Sequence, residues 1–128
     1  MNKLKIETLI FDKIRKVLPL SASKSVLYAC VSDTSRELFF YSLMEDGTWK
    51  QCFSLAEEGF LEENELEEIF SDIADAIKTD KKFQVSKLNL FSVIFDKTGV
   101  KLSVDYYDKN ARVYSIKKDW HNRYLQDK

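Results

Sequence analysis

The sequence predicts an α+β fold: an antiparallel sheet of about five strands with helices packed mainly on one face, in the order α-β-β-β-α-β-β-α. Three observations lead there. Apolar residues recur at three- and four-residue spacing near the start and again past the middle of the chain. Between and after those stretches lie five runs rich in β-branched and aromatic residues, divided by turn-forming clusters. Only three glycines and one proline occur in 128 residues, which leaves little room for long loops and fits one domain over 1–128.

Ile6, Leu9, Ile10, Ile14, Val17 and Leu18 share one helical face, so the first helix is expected from about Leu4 to Val17, with Pro19 ending it. Strands follow at Ser25 to Ser32, Leu38 to Met44 and Trp49 to Leu55. Asp33-Thr34-Ser35-Arg36 forms the first turn between them, and Glu45-Asp46-Gly47-Thr48, with its hairpin-favouring Asp-Gly pair, forms the second. Leu66, Ile69, Phe70, Ile73 and Ile77 form the stripe of a second helix, which Asn64 and Glu67 would cap as a box. After a polar link around Thr79 to Lys87, a hairpin pairs Leu88–Phe95 with Val100–Tyr107 across Asp96-Lys97-Thr98-Gly99. In its second strand Val100, Leu102, Val104 and Tyr106 alternate with Lys101, Ser103, Asp105 and Tyr107, predicting one buried face and one wet face. Arg112 to Ile116 reads equally as a short strand or as irregular chain. Trp120, Tyr124 and Leu125 suggest a closing helix packed back on the domain.

Composition narrows the function classes. At 45% hydrophobic and 32% charged the chain is globular. Charges interrupt the apolar residues of the N-terminus, and no run approaches the roughly 20 apolar residues of a membrane span, so a cytoplasmic protein is expected, with no leader and no membrane partner. Cys30 and Cys52 lie in apolar stretches without metal-ligand spacing and read as buried, reduced thiols. A net charge of −1 argues against direct nucleic-acid binding. That average hides an asymmetry. Gln51 to Ile77 holds nine of the 21 acidic residues and none of the 20 basic ones, leaving −9 there and +8 elsewhere.

Catalytic signatures are sparse. The single histidine, His121, reads as a surface residue of the last helix, and nothing beside it resembles a nucleophile-and-base pair. Neither zinc nor calcium spacing is present, and three scattered glycines build no phosphate loop, so no cofactor and no metal are expected. Asp105 and Asp108 could serve as paired carboxylates of a metal-dependent nuclease, but they read more simply as a solvated strand end. A binding protein rather than an enzyme is the reading that remains.

The acidic segment points to the partner. Glu65, Glu68, Asp72 and Asp75 share a helical stripe turned away from the apolar one. An ordinary surface helix gains stability from Glu-to-Lys pairs four residues apart, and this one has none inside the segment. Such a stripe is either a solvated face or a surface that a basic partner would steer towards and relieve of its self-repulsion.

Leu102-Ser103-Val104-Asp105-Tyr106, an irregular gap, and then Trp120-His121-Asn122-Arg123-Tyr124-Leu125 make a strand ending in Asp-Tyr and a tryptophan-led helix with a basic-Tyr-Leu ending. This pattern resembles the YezG-like family of bacterial immunity proteins, or antitoxins. The opening helix, the aromatic strand Leu38-Phe39-Phe40-Tyr41 and the acidic central helix are similar in order, whereas Ala111-Arg112-Val113-Tyr114 matches no part of the pattern. The resemblance implies a cytosolic protein that neutralises a cognate toxin, often a nuclease, delivered by a neighbouring cell in contact-dependent growth inhibition. Nuclease toxins need basic surfaces to hold phosphates. The expectation is therefore that Glu65, Glu68, Asp72 and Asp75, extended by Glu57 and Glu58, mask such a surface in a 1:1 complex of monomers. The size, acidic helix and element order also resemble a type III secretion chaperone, which would hold an effector segment as a homodimer.

Overall fold

The strand β1 (Lys24–Val31) is buried at every position after its first. A strand that alternates in and out presents one dry face, and one dry throughout needs cover on both. That requirement organises the whole molecule, a computed structural model describing residues 5–125. The β1 strand pairs antiparallel with β2 (Arg36–Leu43) on one side and with β4 (Lys87–Asp96) on the other. The short β3 (Trp49–Gln51) extends the sheet beyond β2, and β5 (Gly99–Asp108) extends it beyond β4, giving the order β3-β2-β1-β4-β5.

One face of the sheet is covered by α1 (Ile6–Ile14) and α3 (Glu63–Thr79). The first presents Ile6, Ile10 and Ile14 at four-residue spacing, all buried, and the second presents Leu66, Ile69, Phe70, Ile73, Ala74 and Ile77. Aromatic contacts fasten both to the strands: the Phe11 ring lies tilted 5.6 Å from Phe95, and Phe70 meets Phe40 edge-on at 6.4 Å. The α+β class, the antiparallel sheet of five strands and the position of the central helix match the expectation from sequence.

Three features of the first half of the chain differ. The first helix ends at Ile14 rather than Val17, because the Val17 N–H bonds the Ile14 carbonyl at 3.0 Å in a tighter turn that still buries Val17. Its expected start at Leu4 lies outside the described residues. The third strand stops at Gln51, and Cys52–Glu57 forms an additional helix, α2, making the order α-β-β-β-α-α-β-β-α. Cys52 and Leu55 are both fully buried. Three residues apart, they would point to opposite faces of a strand and share one face of a helix. Lastly, the Asn64–Glu67 box does not form: α3 begins two residues earlier, with Glu62 rather than Asn64 at the N-cap and no side-chain capping bond, while Glu63 and Glu65 in the first turn suit the dipole.

The segment left open between strand and irregular chain is neither. It begins α4 (Val113–Tyr124), which takes the sheet face opposite α1 and α3. Tyr28 and Phe39 stack at 4.5 Å on that face, and Trp120 meets both edge-on, at 5.4 and 5.7 Å. The Trp120 indole N–H donates to the buried Ser92 hydroxyl at 3.1 Å, so its one polar group is satisfied. This helix also explains why the alternation in β5 changes phase. Val100, Leu102 and Val104 are half-buried on the α1 side, but Tyr106 is exposed and Tyr107 is half-buried on the α4 side. A fully buried Asn89 secures the link before β4: its amide nitrogen lies within 3.1 Å of the Val31, Gln84 and Lys87 carbonyls, and its oxygen accepts the Gln84 N–H.

The Tyr28 hydroxyl is buried and has no hydrogen-bond partner of standard distance and angle, with only the Cys30 thiol beside it. Burial, and then Cys30 and Glu37, push its pKa far upward. Removing an unsatisfied buried hydroxyl relieves a desolvation cost, so Tyr28→Phe is expected to stabilise the protein by about 1 kcal/mol. Trp120→Ala is expected to cost about 3–5 kcal/mol by emptying the centre of the aromatic cluster. Urea denaturation midpoints check both.

Candidate functional site

The outward side of α3 carries the predicted acidic stripe. At about 100° per residue Glu65, Glu68, Asp72 and Asp75 fall within an arc of about 80°, opposite the buried stripe. All four are exposed, as are Glu57 and Glu58 at the end of α2.

Two of the six have cations that the local sequence does not show. Asp72 accepts an ion pair from Lys13 of α1 at 3.5 Å, and Glu58 is held by Lys50 of β3 at 2.8 Å. Both pairs are largely solvated and contribute little to stability. Among the described residues, Glu57, Glu65, Glu68 and Asp75 have no cation within ion-pair distance, and neither do Glu62, Glu63 and Glu67. The acidic face is therefore trimmed at its α1 and β3 margins and uncompensated between them.

The turn joining α2 to α3 adds an aromatic residue that sequence reasoning missed. The Phe60 N–H bonds the Leu55 carbonyl at 3.0 Å and the Gly59 N–H bonds the Ala56 carbonyl at 3.1 Å, the paired bonds of a Schellman helix end. Gly59 has φ +89°, which only glycine adopts without strain. Leu55 is buried beneath, but Phe60 remains 56% exposed. Its backbone is thus fixed while its ring faces solvent, in a groove with Leu61, Glu62 and Glu65 on one wall and Lys16, Val17 and Leu18 on the other. The signal was present as Glu-Glu-Gly-Phe, a helix stop followed by an aromatic, but it is legible only once Cys52–Glu57 is known to be helical.

The remaining candidates do not assemble. His121 Nε2 lies 3.0 Å from the Tyr41 hydroxyl, and the two rings meet edge-on at 4.9 Å. Asp105 reaches Arg123 at 3.4 Å, whereas Asp108 accepts the Asn110 N–H at 3.0 Å in the following turn. Three residues apart on a strand, those two carboxylates point to opposite faces. Among the described residues, no group of three or more His, Cys, Asp or Glu side chains is placed to hold a metal ion, and no helix is long and apolar enough to cross a membrane. Cys30 and Cys52 are buried free thiols, and burial raises the pKa of each, Cys52 to about 11.

No protein-family model matches the chain, and no curated protein matches it.

Partial burial, and then Lys117, lower the His121 pKa below 6.5, so the unfolded chain binds the extra proton first. The stability contributed by neutral His121 is complete above pH 6.5 and declines as pH falls below that value towards the folded pKa. Chemical denaturation between pH 7.5 and about 5, above most carboxylate titration, should show this slope, and His121→Gln should flatten it.

Proposed function

We propose that this protein is an immunity protein that binds and neutralises a toxin with a basic surface, a nuclease being the class that best fits, and that it does so through the acidic face of α3. The observation that carries the reading is the uncompensated row of carboxylates at Glu65, Glu68 and Asp75, continued by Glu57 beyond the Phe60 turn. A face of this kind resists close packing against neutral surfaces, and its self-repulsion falls when lysines or arginines dock on it. A nuclease carries such side chains where it holds phosphates, and carboxylates at comparable spacing would occupy them. The resemblance of Asp105-Tyr106 and Trp120 to Leu125 to YezG-like immunity proteins supports the same reading from different residues. Phe60 would serve as the apolar anchor that charge alone lacks. Interface energy concentrates in aromatics ringed by polar residues, and the Schellman turn removes the backbone part of the ordering cost.

Expression with the product of the neighbouring upstream gene tests the reading at its root: the two should copurify, and this protein should relieve the other's toxicity. Failure of both overturns it. Given a complex, Glu65→Lys with Glu68→Lys should slow association by about tenfold and flatten its salt dependence while leaving the fold intact. Phe60→Ala should instead speed dissociation, weakening binding by about 2 kcal/mol or more. Stopped-flow association at two salt concentrations and surface-based dissociation measurements separate the two effects. Unchanged association kinetics in the double variant would remove the stripe from the mechanism.

A further inference from the structure

Among the described residues, the β5 strand ends the sheet with an open edge. It runs for ten residues in unbroken register with β4, without proline or bulge. Among the described residues, its backbone bonds outside β4 are confined to its end, where the Asp108 carbonyl accepts the Ala111 N–H at 2.9 Å. Long edges with half-buried apolar residues such as Val100, Leu102 and Val104 attract further strands, and proteins usually blunt them with charge. The charges within this edge are Lys101 and Asp105, both on the α4 side of the sheet, with Asp108 closing the strand on the other side.

We infer that β5 pairs antiparallel with β5 of a second copy, about a two-fold axis through Ser103. The register follows from the chain itself. An axis perpendicular to the sheet keeps each face on its own side, so residues directly opposite must share parity, and the axis must pass through a residue pair. Centred on Lys101 it sets lysine against lysine, and centred on Asp105 it sets aspartate against aspartate. Centres at Leu102 and Val104 set neither charge opposite one of unlike sign. Centred on Ser103, Lys101 of each copy faces Asp105 of the other, Leu102 faces Val104, Val100 faces Tyr106, and Tyr107 covers Gly99. Directly opposed ions of unlike sign and an aromatic over a strand glycine both favour pairing. The lysine that would repel a foreign strand thus finds its complement only in this one. Arg123, 3.4 Å from Asp105, borders the same pair and joins its network.

The acidic face lies on α3 and α2, away from this edge, so the dimer is compatible with toxin binding and independent of it. Oligomeric state by itself then no longer separates an immunity protein from a secretion chaperone.

Analytical ultracentrifugation tests the register. The wild-type chain should show a concentration-dependent dimer. Lys101→Asp puts aspartate opposite Asp105, Asp105→Lys puts lysine opposite Lys101, and each should weaken the dimer at least tenfold. Mixing the two variants restores both unlike pairs, so the mixture should form a heterodimer that neither makes alone, and recovery there also shows that both variants fold. A wild-type chain that stays monomeric at millimolar concentration, variants that dimerise as the wild type does, or a mixture that stays monomeric would each overturn the proposal. None of these outcomes bears on whether the acidic face binds a toxin.

Discussion

Everything in this fold follows from the need to cover the central strand twice. Seven of the eight residues of β1 are buried, alternately against Phe40, Phe91 and the α1–α3 layer and against Phe39 and the Trp120 layer. With about 25 cal/mol gained per Å² of apolar surface removed from water, leaving either face open would forfeit much of a small domain's driving force. The path from β3 to β4 therefore carries α2 and α3 over one face, and the chain returns after β5 to lay α4 on the other. The candidate binding face is a by-product of the same demand. A helix that buries six residues against a sheet must turn its remaining side to solvent, and in α3 that side is acidic.

The residues that carry the family resemblance are chiefly packing residues. Trp120 fills the aromatic cluster and donates to Ser92, Tyr124 packs on Trp120 at 5.3 Å, and Arg123 spans to Asp105. Lys117 reinforces the same helix by pairing with Glu37 at 2.7 Å and lying over the Phe39 ring. A pattern of this kind reports how the last helix is fastened. The proposed binding surface lies elsewhere, on α2, α3 and the turn between them, where the acidic side chains are exposed and have few structural duties.

Charge in this molecule is arranged on two length scales. Across the domain, an acidic helix face stands against a basic remainder, which would orient a charged partner before contact. Along single elements, individual ions are placed more finely: Lys13 and Lys50 border the acidic face, Asp46 and Asp96 accept backbone N–H groups of Thr48 and Thr98 to shape the hairpin turns, and Lys101 and Asp105 mark the open edge. Hydrogen bonds to those turn carboxylates hold both below the usual aspartate range.

The sequence by itself determined what depends on near neighbours. The apolar periods of α1 and α3, the turns at Asp46-Gly47 and Asp96-Lys97-Thr98-Gly99, and the acidic stripe are all functions of residues within one or two helical turns, where periodicity is a sufficient guide. Only the tertiary structure decided what depends on distant ones. Cys52–Glu57 became a helix because the pocket beneath it needed Cys52 and Leu55 on one side. Phe60 was fixed and exposed as a consequence, and Val113–Ile116 was drawn into a helix because Trp120 had to reach Ser92 across the sheet. Lys13 found Asp72, and Lys50 found Glu58, through folding alone. Burial and pairing between residues far apart in the chain leave no local period to read.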